Sequence, residues 1–521
     1  MSHPSDVRIG FRSILSSRAL TAGLVCVFLG AVDLTVIASI LSTIIPDLGV
    51  NTADIDRYIW VVNGYLIAYV VAIPLVGRLS DLVGRQPAFF ACLAIFAAGS
   101  ILCGSAGTLD SLILGRTLQG LGGGGLLPVT IALAGDVLPR HLRLAGIGLV
   151  SAVDTLGWVI GPTWGAVVVG FLPSIDQAWR WVFWINLPLL AIAVIAVFRA
   201  FPRHERHLDV HARVLDIPGA TLLAITLVSV NLALASGGEF GAQSGTGLRA
   251  LGGTPNPLAS RIPLLLAIGA VSLVALVLWE RRSSHPILPV SLFRRIHYVA
   301  VVAANFLIGS ALMVGMVNVP VIVALVSSPG NVTRDSALLL APLTLGIAVF
   351  SLLSGPVATR IGVFRMTVVG VIITIAGYAL LYALTNHTDI WRMIAGLAVT
   401  GIGIGLLLAP LSEVALDDAG ESNRGSAVST ALMFRLLGMT IGMSLLTAAG
   451  VYRLQVLTGR LEPVVQQAQE STAEFLIRQQ DFVEAHVIPL GVQVMQETFL
   501  AAAFLAALAL APIILMRNPD R

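Results

Sequence analysis

Four charged side chains interrupt long apolar runs of this sequence: Asp33, Arg116, Asp154 and Arg435. The stretch "GLVSAVDTLGWVIGPTWG" (148–165), for example, holds Asp154 as its one charged residue. An ionisable residue is costly to bury in lipid, and for that reason it indicates a functional site by default. A carboxylate in apolar surroundings binds its proton more tightly than in water, and a nearby arginine opposes this effect. These carboxylates are therefore candidates for proton uptake and release, with the permanently charged arginines setting their proton affinity.

The same charges are also compatible with a purely structural role, as buried ion pairs that lock helix packing. Arg116 has a further alternative, because it lies near the outer third of its apolar run. From that depth its side chain could extend to the lipid headgroups. The residues alone leave these alternatives open.

The surroundings of these charges are those of an integral membrane protein. The 521 residues are 56% hydrophobic and 11% charged, with 31 basic residues, whereas soluble domains carry about 25% charged residues. A helix needs about 20 mostly apolar residues to cross the hydrocarbon core of a bilayer. We predict an all-α integral membrane fold with fourteen transmembrane helices, beginning near residues 19, 58, 87, 111, 144, 180, 215, 263, 297, 336, 366, 391, 425 and 494.

The basic residues predict the orientation of these helices. All 31 are arginine, and with the N-terminus inside, 20 fall in inner segments and 9 in outer segments. Arg116 and Arg435, the other two, lie within spans. Because arginine is enriched on the cytoplasmic side of membrane proteins, we expect both termini in the cytoplasm.

An internal repeat predicts how the helices are grouped. "GRLSDLVGR" (77–85) joins the second and third spans, and "GPVATRIG" (355–362) joins the tenth and eleventh. Aligning Gly77 with Gly355 also aligns Gly84 with Gly362. If the seventh and eighth spans are an insertion, each loop follows the second helix of a six-helix half, as in transporters built from parallel repeats. We expect a six-helix bundle over 1–205, a linker helix pair over 206–290 and a second bundle over 291–521.

With these motifs in order, the chain resembles the major facilitator superfamily and, within it, the fourteen-helix drug:proton antiporter branch of the EmrB/QacA type. The resemblance covers essentially the whole chain. Five segments carry it: "GAVDLTVIASI" (30–40), "GRLSDLVGR", "LILGRTLQGLGGG" (112–124), "GWVIGPTWG" (157–165) and "ERRSSHPILPVSLF" (280–293). Each match alone is modest, but five in the expected order are specific.

The resemblance implies roles for particular residues. Asp33, Asp154, Arg435 and Arg116 would couple transport to protons, with the first three brought into one central cavity. The helix-four motif that holds Arg116 also includes Gln119 and Gly120. The gating loop would use Gly77, Asp81, Gly84 and Arg85, with Asp81 and Arg85 pairing with a neighbouring helix end. The antiporter motif would use Gly157, Gly161, Pro162 and Gly165.

The glycine spacing of the antiporter motif and the composition of the second-half loop can be interpreted from the residues alone. The glycines at 157, 161 and 165 recur every four residues and form a smooth face on one helix, where a second helix can pack closely. Pro162 removes a backbone donor and bends this helix. In the second-half loop, Thr359 stands where Asp81 stands in the first. We therefore expect a gating ion pair there to be weak or absent.

A long outer segment, about 452–493, separates the last two spans. Leu454, Leu457, Leu461 and Val464 follow helical spacing, so we expect the flanking helices to continue beyond the membrane as an antiparallel pair. Such a pair could guide an apolar cargo, dock a periplasmic lipoprotein, or have no special role. The linker pair carries Asp216 at its inner edge and is not expected to line the pathway.

Together these features predict a proton-coupled exporter of amphipathic drugs, lipids or both, in a bacterial inner membrane. The chain resembles mycobacterial efflux transporters that work beside a periplasmic lipoprotein and export drugs and triacylglycerol-type lipids. This narrower resemblance depends on Asp33, Asp154 and Arg435. The alternatives are a dedicated lipid exporter and a non-transporting scaffold or receptor. No Walker loop, zinc-type spacing or nucleophile elbow is found in the sequence. We therefore expect no enzyme activity, no cofactor, no metal and no nucleic-acid partner.

Overall fold

The structure is a computed structural model that describes residues 14, 16–48, 59–171, 177–201, 216–237, 261–283, 286–288, 291–326, 332–384, 390–461 and 471–516. Regular secondary structure in these ranges is entirely helical. Fourteen of the helices are long and apolar enough to cross a membrane. They are α1 (Arg18–Asp47), α2 (Ile59–Val83), α3 (Arg85–Gly104), α4 (Leu109–Gly124 and Leu126–Val137), α5 (Arg140–Phe171), α6 (Arg180–Ala200), α7 (Ile217–Gly237), α8 (Ile262–Glu280), α9 (Ile296–Val326), α10 (Val332–Ile361), α11 (Val363–Leu384), α12 (Ile390–Ala419), α13 (Arg424–Thr458) and α14 (Thr472–Leu515).

The prediction of fourteen helices is confirmed, and thirteen of them begin within five residues of the predicted positions. The exception is α14, which begins at Thr472 and not near 494. Its first part, Thr472–Phe482, is polar but is capped by Ser471, whose hydroxyl accepts from the Glu474 amide. This capping allows the helix to start well before its apolar section.

The helices form two bundles with matching internal contacts. In the first, α1 packs on α5, α2 on α4, and α3 on α4 and α6; in the second, α9 packs on α13, α10 on α12, and α11 on α12 and α14. The bundles meet along two seams, α2 with α13 and α5 with α10. Each contact in one bundle thus has its counterpart eight helices later, as the repeat predicts. The expected boundaries at 205 and 290 fall outside the described residues.

The backbone of the two repeated loops is also alike. Gly84 has φ 94° and Gly362 has φ 84°, and both connect two helices of their bundle. Positive φ is readily adopted by glycine and is costly for other residues. The aligned glycines therefore make the same tight turn in both halves.

The linker helix α7 packs against α2 and α13 and so covers one of the two seams. Its Leu223 and Leu227 join an apolar cluster that includes Tyr69 of the first bundle and Met433 of the second. Asp216 was predicted as the charge of this helix pair, but Glu280, which is also buried, was not.

The outer parts of α13 and α14 are helical through Thr458 and from Thr472. Arg453 of α13 and Glu497 of α14 form an ion pair, with Nε and Oε2 separated by 2.9 Å. Val464 and the rest of 462–470 lie outside the described residues, as does most of the outer loop between α7 and α8.

Candidate functional site

The first charged centre surrounds Asp33 of α1, inside the first bundle. Arg116 Nη1 donates to its Oδ2 at 2.7 Å, and Asn186 Nδ2 and Gln119 Nε2 donate to its Oδ1 at 2.8 and 3.3 Å. Asp33 is 2% exposed. Three helices, α1, α4 and α6, thus supply a buried carboxylate with donors for both oxygens.

Arg116 is held entirely within this centre. Its Nη2 donates to the Asp33 backbone carbonyl at 3.2 Å, and its guanidinium lies 4.2 Å from the centroid of the Tyr65 ring. The residue is 0% exposed. The alternative in which Arg116 extends to the lipid headgroups is therefore wrong, because α4 directs this side chain toward α1 and α2.

Two further residues of α4, Gln119 and Gly120, complete the packing around Asp33 and Arg116. Gln119 follows Arg116 by one turn and accepts from its Nη1 at 2.9 Å, while donating to Ser100 Oγ at 2.9 Å. A Cβ atom added at Gly120 would lie 3.0 Å from the Tyr65 carbonyl carbon. Gly120 therefore permits the close approach of α4 to α2 that brings Tyr65 over Arg116.

Asn186 was not predicted from the sequence. The available signal was a single amide side chain within the apolar run of α6, "WVFWINLPLL". Buried polar groups are nearly always hydrogen-bonded, so such a residue indicates a buried acceptor nearby. It does not indicate which acceptor.

The second charged centre lies between the bundles. Asp154 of α5 and Arg435 of α13 are 6% and 7% exposed and interact electrostatically across the interface. Among the described residues, they form no ion pair within 4 Å and their side chains form no hydrogen bond. Each residue lies about 20 Å or less along its helix from the helix N-terminus.

Tyr65 and Tyr69 of α2 lie between the two centres. Their ring centroids are 6.0 Å apart, and each ring interacts electrostatically with Asp154. Among the described residues, Asp33 forms no ion pair or hydrogen bond with Asp154 or Arg435, and the prediction that the three meet in one cavity stays a prediction. The structure has two separate centres joined by a pair of tyrosines, because α1 directs Asp33 toward the interior of its own bundle.

The glycine face of α5 packs directly on α1. A Cβ atom at Gly161 would lie 2.6 Å from the Val32 carbonyl oxygen, and one at Gly165 would lie 3.0 Å from Val36 Cγ2. A Cβ at Gly157 would likewise collide with Ala31. Pro162 lies within this continuous helix. The seam holds α5, and with it Asp154, close against α1.

At the end of the molecule where α2 turns into α3, the end predicted to be cytoplasmic and called the inner end below, Asp81 caps a helix of the other bundle. Its Oδ1 accepts from the Gly425 amide at 2.8 Å, and its Oδ2 accepts from the amide and hydroxyl of Ser426, both at 2.7 Å. A Cβ at Gly77 would lie 2.7 Å from the Gly425 carbonyl oxygen. The first-half loop thus binds the N-terminus of α13, where a carboxylate is favourable.

Arg85 extends this contact into a network. It donates to Asp81 Oδ1 and to Asp136 Oδ2, both at 2.8 Å. Asp136 in turn accepts from Arg424 of α13 at 3.0 Å. Neither Asp136 nor Arg424 was predicted as a site residue. Both lie at helix ends, where the sequence does not distinguish them from ordinary loop charges.

The second-half loop has no such cap. Thr359 is exposed and donates to the Pro356 carbonyl of its own helix at 2.8 Å. Beside this seam, Arg143 Nη1 of α5 and Asp417 Oδ1 of α12 form an ion pair at 3.2 Å. The two seams are therefore related by the repeat but differ in strength at the inner end.

Comparisons with known proteins agree with this architecture. A sequence model described as "Major Facilitator Superfamily" matches residues 23–443. The chain is 35% identical to a protein of Mycolicibacterium hassiacum named triacylglyceride transporter, over 84% of this chain and 79% of that protein. It is 34% identical to a probable triacylglyceride transporter of Mycobacterium leprae, over 85% and 86%.

Solved structures share the fold at low sequence identity. The human organic anion transporter MFSD10 has a TM-score of 0.58 at 14% identity, covering 96% of this chain and 99% of that chain. The proton:xylose symporter XylE has a TM-score of 0.53 at 14% identity, covering 95% of each. At this identity, these likenesses concern the fold alone.

Proposed function

Since the chain belongs to the major facilitator superfamily of membrane transporters, we propose that it is a proton-driven exporter of apolar lipids of the triacylglycerol class. It is a transporter and not an enzyme. The names of the mycobacterial relatives support this cargo class. We further propose a bacterial inner-membrane location with both termini in the cytoplasm, which the arginine distribution supports.

The observation that carries the proposal is the second charged centre. Asp154 and Arg435 belong to different bundles and attract each other without direct contact among the described residues. A charge pair of this kind is sensitive to any tilt of one bundle against the other. Its attraction disappears when Asp154 is neutralised by a proton.

This sensitivity suggests a cycle of alternating access. From the outer side Asp154 binds a proton, and the neutral carboxyl no longer attracts Arg435. The bundles then tilt and the inner end opens, where the proton is released and cargo enters. The charged Asp154 attracts Arg435 again, which returns the bundles to the present arrangement and drives the cargo outward. Arginine sets the proton affinity throughout, because it stays charged.

The inner network serves as the gate in this proposal. Asp81, Arg85 and Gly77 hold α13 against the first bundle, and Gly84 allows the turn between α2 and α3. Opening the inner end requires these contacts to break. The binding energy of the cargo and the protonation of Asp154 together offset that cost.

Asp33 and Arg116 form the second part of the coupling proposal. Tyr65 contacts Arg116 and interacts electrostatically with Asp154, so a change at one centre alters the field at the other. Proton uptake by Asp33 requires Arg116 to move. We therefore assign Asp154 the main coupling role and Asp33 a role that depends on it.

The outer extension of α13 and α14 is proposed as the exit for cargo. Tyr452, Leu476 and Ile477 are 69%, 56% and 61% exposed there, and Arg453 pairs with Glu497 to hold the helices together. An apolar surface of this kind suits transfer of a lipid to a periplasmic lipoprotein. Replacing Leu476 and Ile477 by glutamate should stop transfer to such an acceptor while cargo still binds to the transporter.

The test is transport by purified protein in proteoliposomes with an imposed pH gradient. A labelled triacylglycerol and a lipophilic dye are measured in parallel for the wild type and for Asp154→Asn. We expect gradient-dependent movement of the lipid by the wild type and none above background by Asp154→Asn. Asp110→Asn, which changes an exposed acidic residue in the first turn of α4, is the matched control and should keep wild-type transport.

The outcomes separate the candidate functions. Wild-type export by Asp154→Asn would remove this residue from the mechanism. Transport of the dye without the lipid favours the second candidate, a drug exporter, which the antiporter motif in α5 supports. Transport of neither substrate by the wild type favours a scaffold.

A further inference from the structure

Trp158 lies one helical turn outward from Asp154 in α5, and its indole N–H is buried without a hydrogen-bond partner among the described residues. Buried donors are almost always paired in folded proteins, so an unpaired one calls for an explanation. Tryptophan is a donor only. A ligand that pairs with this N–H must therefore supply a hydrogen-bond acceptor.

The direction of Trp158 follows from its neighbours on α5. Ile160 and Val167 are 40% and 39% exposed and lie on the lipid side of the helix. At 3.6 residues per turn, Trp158 lies about 180–200° from both of them and about 40° from Asp154. It therefore faces the interior of the molecule on the same side as Asp154.

The second bundle is rich in methionine. On α13, Met439 follows Arg435 by one turn in the outward direction and Met443 by two. Met439 packs against the same apolar cluster as Met316 of α9 and Met495 of α14. Methionine is flexible and adapts to varied apolar shapes. Nine of the ten methionines lie in 291–521, so this adaptable surface belongs to the second bundle.

We propose that Trp158 positions the cargo by donating its indole N–H to an ester carbonyl oxygen, while Met439 and Met443, which lie beyond Arg435 on α13, adapt to the acyl chains. The inference rests on the proposed function, in which the cargo is a neutral glycerolipid. Such a lipid has ester acceptors but no donors, which matches an unpaired donor among apolar surfaces. The site lies directly outward of the Asp154 and Arg435 centre, so cargo bound there meets the coupling charges.

The test compares two ligands that differ only at the carbonyl oxygens. The wild type and Trp158→Phe are placed in nanodiscs with a labelled triester lipid, which is displaced by unlabelled triester or by the triether with the same chains. We expect the wild type to prefer the triester by about fivefold, the worth of a typical hydrogen bond. Trp158→Phe should bind both lipids equally, with the affinity that the wild type has for the triether.

Two further variants keep the result interpretable. Trp181→Phe removes an indole that is 44% exposed on α6 and should retain the preference for the triester. Trp158→His keeps a ring N–H and should retain part of it. Size-exclusion profiles verify that each variant is folded.

An undiminished triester preference in Trp158→Phe overturns the inference while leaving the proposed function in place. Equal binding of the two lipids by the wild type also overturns it. If the wild type binds neither lipid but transports the dye, the proposed cargo class fails, and the inference fails with it.

Discussion

The two charged centres both contain a buried carboxylate and a buried arginine but are constructed in opposite ways. Asp33 and Arg116 belong to one bundle, are 2% and 0% exposed, and are joined at 2.7 Å with two further donors on the carboxylate. Asp154 and Arg435 belong to different bundles, are slightly more exposed, and have no direct ion pair between them.

The difference indicates which centre can change during a transport cycle. Removing one partner of a buried ion pair leaves an uncompensated charge, which is strongly destabilising. The Asp33 centre therefore favours one state. The Asp154 centre has no such bond to break, and its energy depends on how far apart the bundles are. Stability measurements on single variants should separate the two, as follows.

The largest loss of stability is expected for Arg116→Leu. It leaves Asp33 charged and buried without its cation, which costs about 3–5 kcal/mol. The free energy of unfolding in mixed micelles measures this. The double variant Asp33→Asn/Arg116→Leu should recover part of the loss, since no unpaired charge remains. Equal stability of Arg116→Leu and the wild type would contradict the assignment.

A smaller loss is expected for Asp81→Ala, which removes the cap of α13. Loss of a helix cap costs about 1–2 kcal/mol. Because the cap joins the two bundles, the inner end should also open more often. A cysteine at Ser429, which lies against Gly77, should then react faster with a membrane-impermeant thiol reagent. An unchanged labelling rate would argue against Asp81 as a gate.

Asp154→Asn should cost less stability than Arg116→Leu, because no ion pair in direct contact is lost. The same variant is expected to abolish proton-driven transport. A large transport defect with little loss of stability is the opposite of what Arg116→Leu should show. If Asp154→Asn proves as unstable as Arg116→Leu, the two centres are alike and the comparison fails.

The smallest effect is expected for Thr359→Asp, which copies the first-half cap into the second-half loop. A carboxylate near the N-terminus of α5 should stabilise the closed inner end by about 0.5 kcal/mol. The measurable result is a modestly lower turnover at unchanged lipid affinity. Thr359→Asn, which matches the size without the charge, should be close to the wild type. Equal turnover of both variants would show that the loop charge has no influence.

Much of the fold could be predicted because membrane helices are local features. Each of the fourteen spans is set by about 20 apolar residues in a row, and thirteen began close to where the sequence placed them. The start of α14 was missed because its first turns are polar. Hydropathy does not detect a helix that continues into water.

The partners within the site were harder to predict. Arg116 was recognised as a charge within a span, but the sequence could not say whether its side chain faces lipid, cavity or bundle interior. Asn186 contacts Asp33 from 153 positions away. Such pairings depend on the rotation of each helix about its axis, which many weak packing contacts decide together.

The residue order by itself predicted fourteen membrane-spanning helices, a repeated loop, and charges within apolar spans. These features follow from composition and periodicity, which act over a few turns of one helix. Only the tertiary structure decided that the charges form two centres, one within a bundle and one between bundles. That outcome depends on which faces of α1, α4, α5 and α13 meet, and close packing of whole helices selects those faces.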